Sequence, residues 1–265
     1  MHNIKIFVAT HKRYDFPNLD LYIPIQVGCE LRKEDFGYAR DNECMDTISH
    51  KNASFCELTA LYELWKNEKY STLEYIGLSH YRRYFQGHEF DFKGMKIINE
   101  KELITLLNDY DLIVPKKYTI NQKIEKNVYE QYSNAHYEAD LIELREVFKE
   151  HYPQYIKSFD TVMNSKTLYL FNMFVMKKTD FDRYMQWLFD ILFILEKRID
   201  ISEYDNYQYR VFGFLSERLW NIWLDSQDLS YVEVEVVNIE NNDLTLQDNR
   251  NIILKITEFL RKKIF

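Results

Sequence analysis

The stretch Tyr75 to Phe85, YIGLSHYRRYF, passes from an apolar, β-prone run (Tyr75, Ile76, Gly77, Leu78) straight into Ser79, His80, Tyr81, Arg82 and Arg83. The run reads as a buried strand, and α/β sheets bind ligands in the crevice beyond the carboxyl ends of their strands. Two guanidiniums at such a place offer bidentate hydrogen bonds to phosphate oxygens. His80 adds a group that can carry a proton or donate to an oxyanion near neutral pH, and Tyr81 and Tyr84 offer ring faces to a base or sugar. In the competing reading Arg82 and Arg83 are surface arginines paired with carboxylates, and the aromatics are core.

The same pattern recurs at the N-terminus. Ile4 to Thr10, IKIFVAT, reads as a first buried strand, and Thr10, His11 and Lys12 at its end occupy the place where a nucleotide-binding α/β fold meets its ligand. Leu21 to Val27 is an edge or irregular strand, because Pro24 cannot donate to a ladder. Arg40 to Asn52 is polar and without period, and reads as a loop. Ser54 to Asn67, SFCELTALYELWKN, has Ser54 and Glu57 at capping-box spacing, then Leu58, Leu61, Tyr62 and Trp65 on one face. It predicts an amphipathic helix feeding the Tyr75 strand, hence a parallel pair.

A second helix is expected at Glu100 to Leu107, and Asp111 to Pro115 as a further buried strand. Asp109, Tyr110 and Asp111 form a DxD triplet, but it precedes its strand, whereas a metal-binding DxD sits at the carboxyl end. Lys116 to Asn134 reads as a long polar loop or lid, and His136 to Tyr152 as a helix whose N-terminus, with His136, Glu138 and Asp140, favours anions. Asn172 interrupts the apolar run Leu168 to Lys177, read as a buried strand. A buried amide costs about 1–3 kcal/mol unless hydrogen-bonded, so a partner or ligand is expected for it. Phe181 to Arg198 is a long amphipathic helix with basic residues at its C-terminal end. In the helical segment Tyr207 to Leu224, Ser216, Glu217 and Arg218 sit among aromatics, where charge must be paired or face a ligand. Tyr231 to Val237 alternates as a half-buried strand, and the tail from Ile252 to Phe265 is amphipathic and basic.

Composition narrows the function classes. With 265 residues, 46% hydrophobic and 29% charged, the chain fits one α/β domain with a helical elaboration. The 6 glycines include no GxGxxG or GxxxxGK phosphate loop. A net charge of −8 argues against nucleic-acid binding, so an anionic ligand needs a local basic patch. Cys29, Cys44 and Cys56 lack CxxC spacing and read as reduced thiols of a cytoplasmic protein. No signal peptide or run of 18 apolar residues is visible.

The segments VATHK (8 to 12), DTISHKNASFCELTALYELWKN (46 to 67), YIGLSHYRRYF (75 to 85), FNMFVMKK (171 to 178) and VFGFLSERL (211 to 219) together resemble the bacterial family labelled domain of unknown function 4422. That family occurs among capsular and exopolysaccharide biosynthesis proteins and is regarded as glycosyltransferase-like. The resemblance implies a GT-A-like, Rossmann-related α/β fold with a mixed, mostly parallel sheet flanked by helices and a helical C-terminal part. It implies residues 1–238 as the transferase domain and 239–265 as an amphipathic tail. The donor would be a nucleotide sugar, such as a uridine diphosphate pyranose or furanose. The acceptor would be a capsular, exopolysaccharide or lipopolysaccharide glycan, lipid-linked or free. The enzyme would then work in the cytoplasm or at the inner face of the plasma membrane, touched through 252–265.

In that frame Thr10, His11, Lys12, His80, Arg82, Arg83, Asn172 and Arg218 bind the nucleotide sugar, and Asp140, His136 and Glu217 are the candidate bases for the acceptor hydroxyl. His80, Arg82 and Arg83 stand where the family of folds carries its DxD, so no metal is expected to be required, with manganese or magnesium as the alternative. Two other classes share these features: a sugar-nucleotide phosphoryl-transfer enzyme and a non-catalytic glycan-binding subunit.

Overall fold

The computed structural model describes residues 3–240. Ile4–Thr10 (β1), Tyr22–Gln26 (β2) and Ala39–Arg40 (β3) are parallel neighbours, and Asn52–Phe55 (α1) with Leu58–Lys66 (α2) leads to Tyr75–His80 (β4), parallel to β1 on its other side. Arg83–Phe92 (β5) and Met95–Ile97 (β6) turn away from the end of β4 as an antiparallel pair. Glu100–Leu107 (α3), Leu112–Pro115 (β7), Tyr118–Thr119 (β8), Val128–Ala135 (α4), Glu138–His151 (α5), Ile156–Asn164 (α6) and Thr167–Leu168 (β9) follow. Phe174–Lys177 (β10), Lys178–Arg198 (α7), Val211–Asp225 (α8), Tyr231–Val234 (β11) and Val236–Asn238 (β12) complete the fold.

The main sheet runs β11-β7-β10-β4-β1-β2-β3 and is mostly parallel; along this path only the pairings of β10 with β4 and β7 are antiparallel. Both faces are covered, which is why the strands read as continuous apolar runs. Along β1, Phe7 and Ala9 face the core built with α1, α2 and α5 to α8, while Ile4, Ile6 and Val8 face the smaller core with α3 and the β5–β6 pair. The α/β class with a mixed sheet and helical C-terminal half is therefore as expected.

Several local expectations need correction. The helix expected over 54–67 breaks at Cys56, whose φ is +53°, and the Ser54–Glu57 capping box does not form. Ser54 Oγ instead donates to the Lys51 carbonyl, and Glu57 accepts from Asn172. The strand expected over 168–177 is two pieces, because Phe171 (φ +78°) and Asn172 (φ +51°) form a left-handed turn ahead of β10. The polar stretch 116–134 carries β8 and the Asn127-capped helix α4. His136 ends that helix, so α5 starts at Glu138.

The loop over 40–52 is organised by a buried anion. Asp41 accepts from the Gly28 amide (2.6 Å), the Cys29 amide (3.0 Å), Ser49 Oγ (2.6 Å) and Thr59 Oγ1 (2.6 Å). After β12, Ile239 is still buried and its amide donates to the Arg82 carbonyl at 3.0 Å. Most of the proposed tail over 239–265, including the amphipathic segment 252–265, lies outside the described residues. Among the described residues no helix is long and apolar enough to cross a membrane.

Candidate active site

A cavity of about 670 Å³ opens beyond the carboxyl ends of β1 and β4, a volume suited to a nucleotide-sized ligand. Five elements supply its wall. β1 ends in Thr10 and His11, and β4 runs into His80, Arg82 and Arg83. The α1–α2 break contributes Cys56 and Glu57, α4 contributes Gln131 and His136, and α8 with its lead-in contributes Tyr207, Arg210, Phe214, Glu217 and Arg218. Arg32 also borders the space, so five arginines face two glutamates. Inside a negatively charged protein this is a local cationic basin.

The turn Phe171–Asn172 ties the basin together. Its Phe171 amide donates to Glu217 Oε1 at 3.0 Å, and its Phe171 carbonyl accepts from His80 Nε2 at 2.6 Å. Asn172 Nδ2 donates to Glu57 Oε1 and to Ser216 Oγ, each at 2.9 Å. The Phe171 ring lies 4.3 Å from the Arg83 guanidinium. Two successive non-glycine residues with positive φ cost about 1–3 kcal/mol each and persist only where surrounding contacts hold them. Here four ionisable side chains are fixed by one strained dipeptide.

Of the residues singled out from sequence, Thr10, His11, His80, Arg82, Arg83, His136, Glu217 and Arg218 border the cavity, and three do not. Lys12 turns outward, its Nζ 3.3 Å from Glu240 and 4.5 Å from the Tyr81 ring centre. Asn172 lies beneath the wall and reaches the site through Glu57. Asp140 is buried away from the cavity, where Tyr204 Oη donates to Oδ1 at 2.7 Å, and Tyr132 Oη lies 3.4 Å from Oδ2. Two phenols hold Asp140 in place, so it is a structural carboxylate rather than a base. The DxD triplet is also removed from the site: the sheet register puts Asp111 at the opposite end of the sheet, where it pairs with Lys177. Among the described residues no group of three or more His, Cys, Asp or Glu side chains is placed to hold a metal ion.

Sequence reasoning missed Arg32, Glu57, Gln131 and Arg210 as site residues. Gln131 accepts from Arg218 Nη2 at 2.6 Å, while Arg218 Nη1 donates to Glu217 Oε2 at 3.1 Å, so Arg218 is locked against the wall. Arg210 lies over Phe214, its guanidinium carbon 5.3 Å from the ring centre.

Electrostatics separates the candidate bases. Burial, then Arg218, pushes the His136 pKa down to about 3. Its Nδ1 donates to Gln208 Oε1 at 3.1 Å, and its ring stacks on Phe214 with centroids 3.9 Å apart. A base so weak matches poorly to proton abstraction at neutral pH, while the stacked ring forms part of the cavity wall. Burial raises the Glu217 pKa against the opposing pull of Arg218 and the Phe171 amide.

His136 also makes acid stability predictable. Its folded pKa of about 3 is below the ordinary 6.5, so the unfolded chain binds more protons between those values. The stabilising effect is complete above pH 6.5 and is lost as pH falls toward 3, a change of order 3–5 kcal/mol. Burial pushes the pKa of His80 and of His11 in the same direction. Thermal unfolding midpoints are expected to fall across that window, and His136→Gln to flatten the fall. Superimposable profiles for the two proteins would contradict this.

A search of curated proteins gives no match. Among solved structures, the chain is similar to the apo structure of WbbM, a bifunctional glycosyltransferase, at 30% sequence identity and a TM-score of 0.81, over 91% of this chain and 46% of that one. It thus spans about half the length of that protein. The family model described as domain of unknown function, DUF4422, matches residues 5–228, and the chain belongs to that family.

Proposed function

We propose that the protein is a glycosyltransferase whose domain, residues 1–238, moves a hexose from a nucleotide-sugar donor, of the uridine diphosphate kind, to a capsular, exopolysaccharide or lipopolysaccharide acceptor. The observation that carries this reading is the cavity of five arginines beyond β1 and β4. Glycosyl transfer expels a nucleoside diphosphate, and negative charge builds on its bridging oxygen as the bond to the sugar breaks. Fixed guanidiniums at that point stabilise the departing group more than the intact donor, and so speed the reaction. Tyr207, Phe214 and His136 offer aromatic faces to the base or sugar. The 30% identity to a bifunctional glycosyltransferase supports the same class.

The reading includes independence from metal, because the arginines supply the positive charge that a cation would supply. Purified protein given a panel of nucleotide sugars and an oligosaccharide acceptor is expected to add one hexose, seen by mass spectrometry, with equimolar release of nucleoside diphosphate. The rate should be unchanged by chelator. Loss of transfer in chelator would refute metal independence. Release of inorganic phosphate without acceptor would favour phosphoryl transfer, and glycan binding with no donor cleavage would favour a binding subunit.

A further inference from the structure

Two carboxylates border the cavity, and their hydrogen bonds are not equivalent. Both oxygens of Glu217 are engaged, Oε1 by the Phe171 amide and Oε2 by Arg218. Glu57 has one engaged oxygen, Oε1, held by Asn172 at 2.9 Å. Among the described residues its Oε2 has no hydrogen-bond donor, and no arginine or lysine forms an ion pair with it. Glu57 follows directly on Cys56, whose left-handed conformation breaks the helix and turns Glu57 toward the arginines. Backbone strain on both sides, at Cys56 and at Phe171–Asn172, is thus spent on one carboxylate with a free oxygen facing a cationic basin.

We propose that Glu57 is the general base of the transfer reaction and Asn172 the residue that positions it, an inference that rests on the glycosyltransferase reading. Glu57 Oε2 takes the proton of the acceptor hydroxyl as that oxygen forms its bond to the anomeric carbon. The bond from that carbon to the diphosphate oxygen breaks, and its electron pair leaves with the nucleoside diphosphate, whose charge the arginines hold. The products are the glycoside, the nucleoside diphosphate and a protonated Glu57 that releases its proton to water. A direct displacement of this kind inverts the anomeric configuration.

The test uses the full chain and the donor panel, reading donor cleavage with acceptor or with water, and nucleoside diphosphate affinity by calorimetry. Glu57→Gln is expected to bind the nucleoside diphosphate within about threefold of wild type and to lose about 10²–10⁴-fold in kcat, with the donor KM little changed. Glu57→Asp, which keeps the charge, should turn over faster than Glu57→Gln, and Glu217→Gln should lose less than Glu57→Gln. Wild-type activity with Glu57→Gln within tenfold of it, or with the Gln and Asp variants equal, or with retained anomeric configuration in the product, would overturn the role of Glu57 and leave the transferase reading intact. A wild-type protein that cleaves no donor overturns that reading and this inference with it.

Discussion

Arg83→Met is expected to weaken nucleoside diphosphate binding by about 10²-fold or more while leaving the protein as stable as wild type, or more so. The Arg83 guanidinium has no hydrogen-bond or ion-pair partner among the described residues and rests only on the Phe171 ring. Burial, then the adjacent Arg82, lowers its pKa to about 10, which means that the charged form is held at a cost to folding. That cost is on the order of 3 kcal/mol. A neutral side chain of similar length relieves it and still packs on Phe171. The same desolvation makes a phosphate contact strong, since truncating one partner of a buried charge pair costs about 2–5 kcal/mol of binding. Opposite signs for stability and binding distinguish a ligand-binding arginine from one that holds the fold together. Unfolding midpoints and calorimetric titration measure both, and a variant that loses stability but keeps affinity would contradict the assignment.

Asp41→Ala is expected to cost about 3–5 kcal/mol, a fall of roughly 10 °C in the unfolding midpoint. The carboxylate is 1% exposed and satisfies two backbone amides and two hydroxyls. Its loss leaves the two amides and the Ser49 hydroxyl buried without that acceptor, and Thr59 Oγ1 with only the 3.3 Å contact to the Cys56 carbonyl. They come from the segment after β2, the loop over 40–52 and α2, so their loosening also frees the α1–α2 break that carries Glu57. The midpoint of Asp41→Ala within 3 °C of wild type would show that water or rearrangement satisfies the donors.

The sheet was largely legible in the sequence because each central strand is a short apolar run with polar residues at its ends, as in IKIFVAT, YIGLSH and LIVP. Helix α3 lies at the residues expected for it, Glu100 to Leu107. Part of the site was legible for the same reason: His80, Arg82 and Arg83 follow directly on a buried strand, and Glu217 and Arg218 interrupt an apolar helix. Glu57 was hidden by a coincidence of spacing, since Ser54 and Glu57 fit a capping box that does not form. No local signal marks Cys56 as left-handed; in the fold it packs under α8, which passes so close that a methyl group on Gly213 would lie 2.9 Å from Cys56 Sγ. Asp140 was misread because an acid in the first turn of a helix is favourable whichever way it faces, and packing against Tyr132 and Tyr204 decides the direction. Arg32 lies in a polar stretch and Arg210 near the start of an aromatic helical segment, and in both places only the folded chain reveals which charge turns inward.

The most direct test of the central claim is a crystal structure of the full chain with a nucleoside diphosphate, grown in the presence of chelator. Diphosphate oxygens within about 2.7–3.1 Å of the Arg83 guanidinium, at the carboxyl ends of β1 and β4, are the expected result. A diphosphate seated elsewhere on the protein, or a cavity without one at saturating ligand, would contradict it.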